Sequence, residues 1–264
     1  MDDFNFHRPA SVDDALAALR SASDGKLLAG GQSLLPVMRL DLAQPSDLVS
    51  LGAIGELSGV EVAGESLVVG AMTSHAEVAS SALVLEHLGA LAALAGGIGD
   101  PQVRNRGTLG GSIAHADPAA DYPAAVVALD AVVVTDRREI GADDFFTGLF
   151  ETALEADEIV TAVRFPLPRR AGWAKFPSPA SRYAVVGVFV AETGGGVRVA
   201  VTGAGDSVFR ASEMEAALAA DFSPSALDGI EVDAAELRSD MDASAEFRAH
   251  LIGVMARRAV GAAS

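Results

Sequence analysis

Two glycine pairs in this chain sit beside hydroxyl side chains, and both arrangements could hold an anion. The first is Ala29-Gly30-Gly31-Gln32-Ser33-Leu34-Leu35-Pro36. The second runs from Thr108-Leu109-Gly110-Gly111-Ser112 through His115-Ala116-Asp117-Pro118 to Asp121. Glycine lets a ligand approach the backbone closely, and N–H groups at the start of a helix favour negative charge. Two such loops, about one subdomain apart, could hold a diphosphate and the rest of a dinucleotide between them. A side chain at Gly31 or Gly111 is expected to fill that space and to disfavour a positive φ. Neither loop has the Gly-x-Gly-x-x-Gly spacing, and no Gly-Lys-Ser/Thr phosphate loop occurs. A Gly-Gly pair after a strand is also the ordinary strand-to-helix turn.

Other residues near the second loop offer chemistry with an everyday alternative beside it. Asp117 precedes Pro118 and fits the cap of a helix whose first residue is that proline. Asp121 could cap a helix beginning at Tyr122-Pro123, or accept a hydrogen bond from a ligand hydroxyl. His115 could move a proton, yet no second histidine stands at metal spacing, so a plain loop histidine fits as well. Arg104 and Arg106 could reach phosphate or simply be solvated. Gly203-Ala204-Gly205 reads as the turn at a strand end. The sequence offers no catalytic acid–base pair and no metal site.

The elements that must position these residues can be read from capping and periodicity. Ser11 caps a helix through Leu19, with Asp14 three residues on and Val12, Ala15, Leu16 and Leu19 on one face. A strand over 26–29 runs into the first glycine loop, and a short helix follows over 34–40 with Pro36 in its first turn. Val60 to Ala71 reads as a hairpin turning at Gly64-Glu65. Ser74 and Glu77 form a capping box before a helical stretch that ends at Gly96-Gly97. From Gly96 to Gly111 there are six glycines and Asp100-Pro101, which predicts a functional loop without regular structure. Beyond Arg169, 184–190 and 197–202 form an apolar hairpin around Gly194-Gly195-Gly196. Helices follow near 212–220 and 244–260, the second with Phe247, Leu251, Met255 and Ala259 at four-residue spacing.

Composition excludes several classes. Acidic residues outnumber basic ones 36 to 19, for a net charge of −17. That argues against nucleic acid or an anionic membrane surface as partner. It also means that local backbone dipoles must overcome a repulsive field for a diphosphate to bind. The chain has no cysteine, so it carries no disulfide, no cysteine-ligated iron–sulfur cluster and no cysteinyl-linked cofactor. Met1-Asp2-Asp3 is acidic where a signal peptide would be positive, and no apolar run is long enough to span a bilayer. A cytoplasmic protein is expected.

The loops, the opening Phe4-x-Phe6-His7-Arg8-Pro9, Asp157-Glu158-Ile159-Val160-Thr161, Lys175-Phe176, Ser181-Arg182-Tyr183 and Ala243-Ser244-Ala245-Glu246-Phe247-Arg248 resemble the FAD-binding medium subunit of the molybdenum hydroxylases. This is the family of the carbon monoxide dehydrogenase medium chain and the xanthine dehydrogenase flavin domain. The resemblance covers essentially the whole chain. It implies an α+β protein with a vanillyl-alcohol-oxidase or PCMH-type FAD-binding fold. Two α/β subdomains (about 1–58 and 59–170) would clamp FAD, and a smaller α+β domain (171–264) would follow.

Carried over position by position, the resemblance has Ala29, Gly30, Gly31, Gln32, Ser33 and Leu34 wrapping the diphosphate. Thr108, Leu109, Gly110, Gly111 and Ser112 would do the same from the second subdomain with backbone N–H groups. Asp121 would bond sugar or ribityl hydroxyls, and Ile159 or Val160 would meet the flavin edge through backbone or apolar contact. Lys175 would lie near the polar edge of the ring and Tyr183 over one face. Gln32 stands where carbon monoxide dehydrogenases typically carry histidine, and is more like relatives that oxidise aldehydes or heterocycles. Ser112 replaces an aspartate or asparagine.

The implied role is electron transfer through non-covalent FAD, from iron–sulfur clusters to an external acceptor. Those clusters would sit in a small partner subunit and the molybdenum cofactor in a large one, the whole a dimer of heterotrimers. The alternative is a self-contained FAD-dependent oxidoreductase on the same fold.

Overall fold

The computed structural model describes residues 3–264, so the Met1-Asp2 start lies outside the described residues. The first region is a three-stranded parallel sheet with strand order Asn5–His7, Asp47–Ser50, Gly25–Leu28. Parallel neighbours need crossovers, and the helices Val12–Ser21 and Leu34–Arg39 provide them. Ser11 caps the first helix, its hydroxyl accepting from Asp14 N at 3.1 Å. Ala15, Leu16 and Leu19 bury that helix against Leu51, Ile54 and Leu57. The second helix starts directly after the first glycine loop.

The second region is a five-stranded antiparallel sheet, ordered Val60–Ala63, Ser66–Gly70, Val160–Pro166, Val132–Thr135, Glu139–Gly141. The expected hairpin is present, with Gly64 at φ 61° in its turn. The Ser74–Glu77 capping box is present too, with both reciprocal hydrogen bonds. The stretch after it is three helices and not one: His75–Ser80, Ala82–His87 and Gly89–Gly96. Extended backbone at Ser81 (ψ 126°) and an irregular Leu88 (φ −151°) divide them.

Gly96 to Gly111 also departs from the expected structureless loop. Asp100 caps a helical turn, Pro101–Arg104, by accepting from Val103 N at 2.9 Å. Thr108 caps a second helix, Leu109–His115. Each aspartate or threonine satisfies donors that the glycines would otherwise leave exposed. Asp117 does not cap a helix. Its carboxylate accepts from Ala119 N at 2.8 Å in a turn, and the next helix, Tyr122–Ala128, starts after Asp121.

The third sheet is an antiparallel meander of Arg170–Pro177, Ala184–Thr193, Gly196–Thr202 and Phe209–Arg210. Residues 184–191 are buried without a break because both faces are covered. Val186, Val188 and Val190 pack with Leu251, Ile252 and Met255 of the Ala245–Ala262 helix. Phe189 and Ala191, on the other face, join the core of the second region with Val126 and Leu129. This two-sided burial explains an apolar run in place of alternation. Among the described residues, no helix is long and apolar enough to cross a membrane.

Candidate functional site

The two glycine loops meet. A Cβ added at Gly30 would lie 2.1 Å from the Arg106 carbonyl oxygen, and one at Gly111 would lie 3.3 Å from Ala29 Cβ. At Gly30 the first loop rests on backbone leading into the second, an approach only glycine permits, and at Gly111 the second loop touches the Ala29 methyl group of the first. Gly31 is at φ 72°, the left-handed region that glycine enters without strain. Gly111 is not among the positive-φ glycines and sits inside a helix, so the expected positive φ holds at Gly31 alone.

The donors of the two loops differ. No hydrogen bond among the described residues uses the backbone N–H of Gly30, Gly31, Gln32, Ser33 or Leu34. In the second loop the N–H groups after Thr108 are already occupied. Leu109 N donates to Thr73 O, Gly110 N to Ala71 O, Gly111 N to Thr108 Oγ1 and Ser112 N to Thr108 O. The expectation that Thr108 to Ser112 present backbone N–H groups is thus corrected for Leu109 to Ser112, because the cap and the crossing backbone at 71–73 use them. What that loop offers a ligand is the Thr108 N–H, which donates to no group among the described residues, and the hydroxyls of Thr108 and Ser112.

The loops open onto a cleft of about 710 Å³. It is lined by Ala29 through Leu34, by Thr108, Gly110, Gly111 and Ser112, and by Asp121, Ile159, Val160 and Tyr183. Leu109 is wholly buried in the core and does not reach it. Lys175 also stands behind the wall, paired with Asp121 at 2.6 Å. Its ammonium donates as well to the carbonyls of Gly97 (2.9 Å) and Arg182 (3.2 Å).

Asp121 is the most constrained polar group of the wall. One carboxylate oxygen accepts from Lys175, and the other is buried with no partner among the described residues. Burial pushes its pKa up to about 6, with Lys175 opposing. At neutral pH the carboxylate is therefore charged, with Oδ1 still to be satisfied. Tyr183 stands opposite, its phenol held above its ordinary pKa first by burial and then by Asp117 and Asp121. The ring is 44% exposed, so it overhangs the cleft without being locked in the core.

Ile159 and Val160 form an apolar edge. Ile159 N donates to Asp136 Oδ1 at 2.7 Å, and its carbonyl accepts from Asp136 N at 2.9 Å. Val160 pairs with Thr135 in the sheet. The Ile159 N–H is therefore taken, and apolar side-chain contact is chiefly what the pair offers a ligand. The neighbouring acids are anchors. Glu158 takes both forks of Arg138 at 2.8 Å, which holds its carboxyl down to about 2. Asp157 bonds Arg20 of the first region at 2.7 Å, tying the two halves of the cleft together.

Arg104 does not reach the cleft as a phosphate ligand. Its guanidinium donates to Ile98 O and Gly99 O. His115 lines the cleft but packs against the Phe150 ring at 5.2 Å, and the described residues hold no cluster fit for a metal. Sequence reasoning missed His75, Arg182 and Leu154 among the cleft residues. The capping box marked the helix that carries His75, but nothing local said that its side chain faces a ligand.

A glycine loop with five free N–H groups, facing hydroxyls, a buried carboxylate oxygen without partner and an apolar edge fit a dinucleotide with a flat heteroaromatic ring. Residues 2–168 match the family described as the FAD binding domain in molybdopterin dehydrogenase, and 179–263 match the carbon monoxide dehydrogenase flavoprotein C-terminal domain. The chain belongs to this flavoprotein family. The nicotine 6-hydroxylase medium subunit of Paenarthrobacter nicotinovorans is 40% identical, covering 96% of this chain and 94% of that one. The carbon monoxide dehydrogenase medium chain of Hydrogenophaga pseudoflava is 38% identical over 98% and 96%. A solved structure of that dehydrogenase superimposes with a TM-score of 0.89, at 38% identity, over 99% of this chain and 97% of the other. Quinoline 2-oxidoreductase from Pseudomonas putida 86 gives 0.87 at 29% identity, over 98% and 96%. This flavoprotein is thus α+β, an FAD-binding domain followed by the family's C-terminal domain.

Proposed function

We propose that this flavoprotein is the electron-transfer subunit of a three-component molybdenum hydroxylase. The observation that carries the reading is the paired glycine loops, cross-packed at Gly30 and Gly111, with the first loop's N–H groups left free. Bound FAD would accept single electrons and release them in pairs, which links one-electron carriers to a two-electron acceptor. Gly30 to Leu34 would hold the diphosphate by backbone dipoles, which offsets the chain's charge of −17. Thr108 and Ser112 would add hydroxyls from the other side. Asp121 would accept from a sugar or ribityl hydroxyl, Lys175 would keep that carboxylate ionised and oriented, and Ile159 and Val160 would exclude water from one ring edge. Tyr183 would cover a ring face.

The chain's lack of cysteine leaves the clusters to a partner. Relatives named as medium chains or subunits support a small and a large subunit as those partners; in the proposed reading these carry the iron–sulfur clusters and the molybdenum cofactor, and the whole is a dimer of heterotrimers. In this reading 1–170 binds FAD and 171–264 braces it through Lys175 and Tyr183. A cytoplasmic location is part of the same proposal and is tested by cell fractionation. The central test is the visible spectrum of the purified chain with FAD added. A flavin spectrum that stays with the protein through gel filtration supports the reading, and colour that elutes entirely as free FAD sinks it.

A further inference from the structure

His75, in one wall of the cleft, and Tyr122 each hold a buried polar atom, Nδ1 and OH, that nothing among the described residues satisfies. Their rings lie 5.3 Å apart, tilted by 47°. Tyr122 is fully enclosed, whereas His75 is 5% exposed and lines the cleft. The backbone fixes where along the cleft it stands. His75 N donates to Gly107 O at 2.9 Å, and Leu109 N donates to Thr73 O at 3.1 Å, so segment 73–75 runs beside the entrance to the second glycine loop. Gly107 makes room for the imidazole, since a Cβ there would lie 2.5 Å from His75 Nε2.

A buried donor or acceptor left unpaired keeps the cost of losing its water. An apolar side chain of similar volume would avoid that cost, yet the position holds an imidazole. Its other nitrogen, Nε2, lies beside the cleft-lining Gly107 with no hydrogen-bond partner among the described residues, so Nε2 is the atom a cleft ligand can reach. Burial, and then the Arg104 charge, lower the pKa of His75 to about 4. At neutral pH the ring therefore has one N–H and one lone pair. The ligand segment that lies between two glycine loops is the oxygen-rich middle of a dinucleotide.

We propose that His75 is a further FAD contact, its neutral imidazole hydrogen-bonding an oxygen of the diphosphate or ribityl chain beside Gly107 and Thr108. The proposal rests on the flavoprotein reading above. The test titrates FAD into the full chain, comparing wild type, His75→Leu and His75→Gln by flavin fluorescence, together with the melting temperature of each flavin-free chain. The ring nitrogens of ¹⁵N-histidine-labelled wild type are followed in the same titration. In His75→Leu the flavin-free chain should melt no lower than wild type, because an unpaired polar group has gone, while FAD binds about tenfold more weakly. His75→Gln, which keeps a donor and an acceptor, should stay within about threefold of wild type. In wild type the His75 signals should move on FAD binding.

A purely structural histidine gives the opposite pattern: His75→Leu melts lower and binds FAD like wild type once folded. That result, or wild-type ring signals that FAD leaves unmoved, overturns the proposal even if the leucine variant fails to fold. Wild type that binds no FAD overturns the flavoprotein reading itself, and this proposal with it.

Discussion

Lys175 Nζ lies 2.6 Å from Asp121 Oδ2, while Oδ1 of the same carboxylate is buried without a partner. A lysine from the third sheet thus fixes one oxygen of a cleft-lining acid at the start of a second-region helix, and the other oxygen has no partner among the described residues. The sequence resemblance assigned both residues to the cofactor directly. In the structure Asp121 lines the cleft and Lys175 stands behind it, so in the proposed reading Lys175 acts through Asp121.

Asp121→Ala is expected to weaken FAD binding by about ten- to a hundredfold, the loss of a hydrogen bond to a charged group. The pH dependence follows from the raised pKa. As pH falls through about 6, the folded chain protonates Asp121 and the acceptor is lost, so FAD affinity should drop on the acid side. Lys175→Met removes the charge that opposes burial, and should move that drop to higher pH. For the flavin-free chain the sign is different. A folded pKa above the ordinary 3.8 means the folded state binds the extra proton, so this group's contribution to stability falls as pH rises from about 4 to about 6. Fluorescence titrations of FAD at several pH values check the first part, and urea melts of the flavin-free chain check the second. An acid limb in Asp121→Asn equal to that of wild type would remove Asp121 from the account.

The glycines should separate into two classes. Gly30→Ala puts a methyl group 2.1 Å from the Arg106 carbonyl, so the loops must part, and both the melting temperature and FAD binding should fall. Gly31→Ala meets side chains and no backbone, Leu35 at 2.9 Å and Leu28 at 3.4 Å, but at φ 72°, a strain of roughly 1–2 kcal/mol. It should fold and bind FAD less well, because the N–H groups turn away. Circular-dichroism melts paired with FAD titration distinguish the two. Equal effects of both variants on stability would contradict the packing described.

Much of the scaffold was legible because its signals are local. Ser11, the Ser74–Glu77 box and the Gly64 turn satisfy nearby backbone groups, and each is found where its residues place it. The strands Asn5–His7 and Asp47–Ser50 were not read, since short parallel strands depend on partners about forty residues apart. The 96–111 stretch misled by its glycines. Gly107 and Gly110 serve close packing against His75 and Ala71, a tertiary demand that has the same signature as a loop. The donor count of the second glycine loop was illegible for a related reason: Ala71 and Thr73, which use its N–H groups, are distant until the chain folds.

Glu158 supports the apolar edge from beneath. It is buried and accepts from Arg138, Thr135 and Glu155 N. Glu158→Gln keeps the shape but removes the charge, and should cost about 2 kcal/mol of stability. Because the folded pKa is depressed to about 2 from 4.5, the wild-type advantage is complete above 4.5 and is lost as pH falls through about 2. Chemical denaturation of both proteins at neutral and acid pH measures this. An advantage that grows on acidification would refute it.

FAD is expected to be held without a covalent bond. The chain has no cysteine, and the histidines on the cleft wall are His75, kept neutral and buried, and His115, packed on Phe150. Acid precipitation of the yellow protein should release all of its colour into the supernatant. Colour retained in the pellet would point to attachment at one of those rings.

Assembly is the widest consequence of the proposed role. A flavin that takes electrons from clusters outside its own chain must be held near them by a lasting interface. Interfaces of that kind bury on the order of 2,000 Å² or more, with an apolar core. Exposed large apolar side chains stand beside the cleft, with Tyr183 on its rim and Phe150 against the cleft-lining His115. The untagged native protein should therefore co-purify with one iron–sulfur subunit and one molybdenum-cofactor subunit. Size-exclusion chromatography followed by mass spectrometry of the peak identifies them. A monomer of about 27 kDa that oxidises a small substrate with a dye acceptor, and needs no partner, would show the self-contained alternative to be right.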